Sequence, residues 1–315
     1  MLTPASTGPR LLAAPLPTGP GVYRFRDERG RVLYIGRATN LRRRVASYGG
    51  DLRDRRHLAT MVRRIAAVEA VACDSVHEAA WLERNLLERR LPYWNRTPGG
   101  AEVPVYLRLD ARVGSAGLRV VHTVAERTGV RHFGPYLGGV KVRLAASALH
   151  RMLPVAYAND GLRGTGRELA RLAGVDPGDR ESLLAAVAAV LDRDQLAVTS
   201  FGESLARRRD AAARELAFEF AGKLQAEIEA VAWVVSEQKV TSARAENLDV
   251  HGWSDGLLVK FEIRDGRLQD WRQRRCGEAT ARRHLAGTPP AWTAFAQRNA
   301  ELAARLAGED VVAES

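Results

Sequence analysis

Residues 21–36 read GVYRFRDERGRVLYIG. Two short runs rich in valine, isoleucine and aromatic residues flank DERG, a four-residue turn that ends in glycine. The pattern predicts a β-hairpin and commits this part of the chain to an antiparallel sheet. If the turn closes over Asp27 to Gly30, Arg26 opposes Arg31 and Tyr23 opposes Tyr34. Directly opposed residues share a face, with Cβ atoms about 5 Å apart. Both phenols then lie on one surface, beside the arginines that follow.

The sequence after the hairpin turns helical. NLRRRVASY has Asn40 placed as an N-cap. In HLATMVRRIAAV, Leu58, Met61, Val62 and Ile65 recur at the spacing of an amphipathic helix. EAVACDS predicts a third strand, and HEAAWLERNLLERRL a helix that stops before Pro92. Further on, a strand is expected over 103–109. HFGPYLGG is expected as a turn, VKVRLAASALHRML and ESLLAAVAAVLDRD as helices, and 203–240 as helical throughout. SDG and RDG mark hairpin turns within 246–272. The fold class is therefore α+β. A small domain with a three-stranded antiparallel sheet flanked by helices spans 18–98. It follows a disordered leader over 1–17. A linker region occupies 99–202, a helical hairpin 203–240, and a short β-containing region 241–315, which is expected to end in helix and a frayed acidic tail.

Charge is concentrated near the start. The chain has 48 basic and 37 acidic residues, a net +11, and only four of the basic residues are lysine. Between Gly21 and Arg64 there are 13 arginines against Asp27, Glu28, Asp51 and Asp54, a net +9. Such a local excess favours a polyanion, most simply nucleic acid, although a solvated basic face has the same composition. No apolar run is long enough for a membrane span. Cys73 and Cys276 stand far apart and make neither a disulfide framework nor a metal spacing, which fits a reducing cytoplasm. His57, His77 and His122 fit no ligand spacing. GLRGTGRE lacks the ending of a phosphate loop.

Two features admit a chemical reading beside a structural one. The tyrosine pair is either a cross-strand aromatic contact or a site in which nearby cations favour the phenolate and make a general base. Glu83 borders the buried stripe Ala80, Glu83 and Leu87. It either pairs with an arginine or ligates a hard divalent cation, Mg²⁺ or Mn²⁺, which needs only one or two carboxylates. Arg44 and Tyr48 are four residues apart on one helical face, and an arginine fork suits a phosphate.

These residues resemble the GIY-YIG endonucleases of the UvrC/Cho type. The signature is Gly21-Val22-Tyr23 and Tyr34-Ile35-Gly36, followed by Arg37, Arg44 and Tyr48 at the family's offsets, Glu83 in EAAWLERN and Asn95 in YWN. The resemblance implies a metal-dependent DNA endonuclease of nucleotide excision repair that cuts 3′ to a lesion. In it Tyr34 is the general base and Glu83 the metal ligand. Arg44 contacts the scissile phosphate, Tyr23 and Tyr48 position it, Arg37 supports it and Asn95 holds the site together. The family usually has lysine where Arg37 stands, and a planar fork is not a point charge.

AARELAFEFAGKLQAEIEAV resembles the UVR hairpin, which implies UvrB as a direct partner and UvrA as an indirect one, with damaged duplex DNA as substrate. From Glu203 to Ala230 there are five basic and six acidic residues, a balance that suits protein contact better than DNA contact. The cysteines that bind an iron–sulfur cluster in UvrC are missing here, so no cluster is expected. The sequence also stops short of the second nuclease and the helix-hairpin-helix domain, so cutting of one kind is expected. An inactive adaptor that binds DNA and UvrB, and a GIY-YIG nuclease acting outside repair, are the competing functions.

Overall fold

In the computed structural model, the described residues are 8–50, 58–96, 103–159, 161–172 and 174–312. The first seven residues of the expected leader, Asp51, Asp54, His57 and the last three residues lie outside them. The chain divides into two compact units: 1–101 joined with 237–315, and 102–236.

The first unit begins with a short helix α1 (Pro9–Leu12). This corrects the expected leader, because Leu12, Ala13 and Leu16 are buried in the same core as the tyrosines. Leu16 O accepts from Arg42 Nε, and Gly19 O from the Leu41 amide. The prolines restrict this segment without preventing it from packing. Next come β1 (Gly21–Arg26), β2 (Val32–Ala38), α2 (Leu41–Ala46), α3 (Ala59–Val62), β3 (Ala67–Ala72) and α4 (Val76–Arg89). Asn40 caps α2 by accepting from the Arg43 amide, and Ser75 caps α4 with Glu78 returning to the Asp74 amide. The pair resembles a capping box, with Glu78 Oε2 accepting from the residue before the cap. The sheet order is β2-β1-β3, all antiparallel.

Two expectations change here. The helix read over 57–68 is one turn long, because Ala67 and Val68 are taken by β3, which pairs along the whole of β1. The β1–β2 register also differs: Arg26 faces Val32, Phe25 faces Tyr34, and Tyr23 faces Gly36. The turn takes in Arg31, whose carbonyl accepts from the Asp27 amide. A bulge at Leu33 adds a second slip. A single slip turns every side chain to the other face of a sheet, and two restore it. Tyr23 and Tyr34 therefore still share a face, as diagonal neighbours instead of direct ones.

The second unit holds β4 (Val105–Asp110), β5 (Leu118–Val121), β6 (Val130–Tyr136), α5 (Gly139–Met152), α6 (Thr165–Leu172), α7 (Arg180–Leu191), α8 (Gln195–Arg214) and α9 (Phe218–Val234). The region read as a linker thus contains a second sheet, ordered β5-β4-β6. HFGPY is the end of a strand instead of a turn. Its inner face (Val105, Leu107, Leu109, Leu118) packs against Val142, Ala145 and Leu149 of α5 and the helices beyond. α8 and α9 form an antiparallel hairpin that starts eight residues before the expected 203. Inside it Glu227 is fully buried and bonded to Ser147 and Arg151.

The chain then returns to the first unit with β7 (Leu248–Ser254), β8 (Leu257–Arg264), β9 (Arg267–Arg275), α10 (Glu278–Leu285) and α11 (Pro290–Val312). The expected turns are present: Asp255-Gly256 and Asp265-Gly266 all take positive φ, the backbone of a two-residue hairpin loop. Read as a region separate from 18–98, this meander packs on the first sheet. The Ala72 amide donates to Asn299 Oδ1 at 2.7 Å, and Leu302 enters the tyrosine core. Arg24, on the face of β1 away from Tyr23, bonds Glu69, Asp270 and the Trp271 carbonyl, and its guanidinium lies 3.8 Å from the Trp271 ring centre. No helix among the described residues is long and apolar enough to cross a membrane.

Candidate active site

β1 and β2 bring four aromatic rings together. Tyr23 and Phe25 from β1, Tyr34 from β2 and Tyr48 from the turn after α2 have ring centres 5.0–6.5 Å apart. Tyr23, Phe25 and Tyr48 are fully buried, while Tyr34 is partly exposed. The sequence reading missed Phe25, although strand alternation puts it on the face of Tyr23. Both signature glycines are fixed by close approach. A Cβ on Gly36 would stand 2.6 Å from the Tyr23 hydroxyl and 2.7 Å from the Tyr34 ring, and one on Gly21 would stand 2.3 Å from the Val71 carbonyl.

The hydroxyls of Tyr23 and Tyr48 share a hydrogen bond of 2.8 Å, and Arg44 Nε donates to Tyr23 at 3.3 Å. The Arg44 guanidinium also stands 5.6 Å from the Tyr48 ring centre. No carboxylate pairs with Arg44 among the described residues. Tyr23 is thus a buried neutral phenol that orients a half-buried arginine.

The remaining residues gather on the outer edge of β2. Asn95 closes a two-point bond with Ile35, its Oδ1 accepting from the amide at 3.0 Å and its Nδ2 donating to the carbonyl at 2.8 Å. Two residues along, the Arg37 amide donates to Glu83 Oε1 at 3.0 Å, and the Arg37 guanidinium lies 3.2 Å from Oε2. Leu33 O accepts from the Trp94 amide. Leu33, Ile35 and Arg37 are alternate residues whose backbone groups point away from β1, so side chains and a returning loop stand where a fourth strand would pair. Tyr34 and Gly36, between them, are locked from both sides. All seven expected site residues meet in this one region.

The electrostatics differ from the expectation in one respect. Tyr34 was expected to be acidified by arginines. Instead its phenol is pushed up, chiefly by burial and then by Tyr48, and the opposing pull of Arg44 is too small to reverse this. Glu83 also pushes Tyr34 up, which places its carboxylate within electrostatic reach of the phenol. Burial pushes the Glu83 carboxyl up as well, against the pull of Arg37 and Arg44.

Glu83 pairs with an arginine, as one of its two readings required, but the pair does not close the site. The Arg37 side chain is 53% exposed and that of Glu83 23%, so the guanidinium can swing into solvent and leave a carboxylate at the surface. Among the described residues no group of three or more His, Cys, Asp or Glu side chains assembles. A lone carboxylate fits a hard cation that takes water and substrate oxygens as its other ligands; it does not fit an ion that needs thiolate or imidazole.

Residues 19–96 match the family described as the UvrC-like GIY-YIG domain. The chain is 30% identical over 277 residues to the UvrABC system protein C of Syntrophotalea carbinolica, covering 82% of this chain and 44% of the relative. It is 31% identical over 267 residues to that of Desulforudis audaxviator, covering 80% and 42%. A stretch of 141 residues is 35% identical to that of Trichlorobacter lovleyi, covering 45% and 23%. The chain spans less than half the length of these curated relatives.

Proposed function

We propose that this chain, whose residues 19–96 match the UvrC-like GIY-YIG domain family, is a divalent-metal-dependent DNA endonuclease of UvrABC-type nucleotide excision repair, nicking the damaged strand 3′ to the lesion. The observation that carries this reading is the convergence of Tyr34, Arg44 and Glu83 around one edge strand, with an acidic residue held beside a phenol on a basic surface. A module that only binds DNA gains nothing from a half-buried carboxylate there, since it weakens the field that attracts phosphate.

In the reaction we infer, the water oxygen bonds to phosphorus as the bond from phosphorus to the leaving deoxyribose oxygen breaks; the water proton passes to Tyr34 in its phenolate form, and the leaving oxygen takes a proton from solvent. Glu83 would hold Mg²⁺ or Mn²⁺, which supplies positive charge to polarise the phosphate oxygens and favour the phenolate of its neighbour Tyr34. Arg44 donates to the non-bridging oxygens and stabilises the charge that builds there. Tyr23 and Tyr48 fix the angle of Arg44. Arg37, released from Glu83, is a second donor to the phosphate. Asn95 holds β2, and with it Tyr34, in register.

The α8–α9 hairpin is the proposed UVR-like contact for UvrB, and through it for UvrA. Its turn exposes Leu216, Phe218 and Phe220 at 73%, 67% and 42%, an apolar tip on a nearly neutral hairpin, as protein contact requires.

The test is incubation of the protein with UvrA, UvrB and a duplex carrying one bulky adduct, with Mg²⁺ or Mn²⁺. Wild type is expected to nick the adducted strand. Tyr34→Phe and Glu83→Ala should each lose roughly 10²-fold or more in rate, the scale of a lost general base, while still binding DNA. Binding without nicking by wild type would make this an adaptor. Nicking without UvrB would place it outside repair.

A further inference from the structure

We propose that the outer face of the β5-β4-β6 sheet binds the sugar–phosphate backbone of DNA; this rests on the DNA-nuclease reading above and assigns the 102–236 unit a contact of its own with that substrate. Strand alternation divides the sheet. Val105, Leu107, Leu109, Leu118 and Val120 face the core, and the residues between them form the other face. On that face Arg108 of β4 lies directly opposite Arg119 of β5 and His132 of β6, and Tyr106 lies opposite Val121.

Neighbouring strands are about 4.8 Å apart, so Arg119, Arg108 and His132 form a row across three strands roughly 10 Å long. Like charges directly opposite each other are unfavourable in a sheet unless something compensates them. On this face Asp110 draws on Arg108 electrostatically, but Arg112 acts on that carboxylate more strongly. Among the described residues Arg108 and Arg119 make no ion pair there, and Nε of Arg108 is buried without a hydrogen-bond partner. Asp110, the carboxylate two residues along β4, is already taken by Arg112 in bonds of 2.9 and 2.7 Å. Burial, then the Arg108 charge, pushes the His132 imidazole down, which makes it a neutral hydrogen-bonding group beside two cations.

A row of two guanidinium groups fits an anion with several oxygens. The row is wider than a single carboxylate or phosphate needs, and its spacing suits successive phosphates of one strand. Tyr106 and Val121 beside it give a flat surface for deoxyribose. Contacts of this kind position a nucleic acid without reading its sequence.

The experiment measures affinity of the full chain for a fluorescent DNA duplex by anisotropy, across a salt series. Each phosphate contact contributes about 0.9 to the slope of log affinity against log salt. The double variant Arg108→Ala/Arg119→Ala should lower that slope by roughly 1.8 and weaken binding several-fold or more at about 150 mM salt. Arg108→Lys/Arg119→Lys should keep most of the slope, and it serves if the alanine pair fails to fold. On the wild-type protein, the His132 ring resonances should shift when DNA is added. An unchanged slope in a folded double variant, or a His132 signal indifferent to DNA, overturns the inference and leaves the nuclease reading standing. Displacement by polyglutamate at a charge concentration where duplex does not compete would assign the face to an acidic protein and also overturn it. Failure of the wild-type chain to bind DNA at all would remove the nuclease reading first.

Discussion

Tyr34 is held protonated by its surroundings, with burial, Tyr48 and Glu83 all acting against the phenolate. A base in that state is useful only if an added positive charge offsets Glu83, which ties the phenol to the carboxylate chemically as well as spatially. Asn95 bonds the Ile35 backbone next to Tyr34, and in the proposed reaction it positions Tyr34 without touching substrate. Asn95→Ala leaves the Ile35 amide and carbonyl without partners, and each stranded backbone group costs about 1–3 kcal/mol. A lower thermal midpoint is expected together with a fall in nicking. Asn95→Gln, which keeps both groups on a longer arm, should recover part of each. Equal activity and stability in Asn95→Ala would remove the edge-strand argument. That the seven expected residues cluster was legible in the sequence, because each sits at a fixed offset within β1, β2, α2 and the turn after it, α4 or the YWN segment. Phe25 was overlooked because a phenylalanine carries no chemical cue of its own.

At the scale of elements, local chemistry was read most faithfully. Asn40 caps its helix, and the two Asp-Gly turns fold as their residue types demand, since φ > 0 at two adjacent positions leaves few alternatives. The bulge at Leu33 was not legible, because no residue type requires it. The β5 and β6 strands were missed because turn residues (Gly134, Pro135) sit inside the latter. In this second sheet Arg112 holds the Asp110 carboxyl down to about 2. A depressed carboxylate adds stability at pH values above its unfolded value near 4, and this is lost as pH falls toward 2. Asp110→Asn should flatten that acid limb in thermal melts between pH 5 and 2. An acid limb as steep as that of wild type would show that the pair does not contribute.

For the whole molecule, sequence separation hid the main organising contact. Arg24 meets Asp270 and Trp271 across 246 and 247 residues, which no local pattern announces. Had the C-terminal meander stood apart, a chain cut before Glu203 would keep its nuclease fold. With Arg24 and Asn299 as observed, that cut removes the cover from one face of the first sheet. It leaves a buried guanidinium with Glu69 alone, and breaking such a buried network costs about 3–5 kcal/mol. A fragment ending before Glu203 is expected to be unfolded or aggregated by circular dichroism and light scattering. A cooperative melt within a few degrees of the intact chain would contradict this.

The central claim is that the Tyr34 phenol and a cation on Glu83 occupy one site, and paramagnetic broadening reads this without any substrate. With fluorotyrosine in the chain and the Tyr34 signal assigned through Tyr34→Phe, Mn²⁺ should broaden that ¹⁹F resonance in wild type and leave it sharp in Glu83→Ala. A Tyr34 resonance that Mn²⁺ leaves unchanged in wild type, or broadens equally in both proteins, would contradict the account.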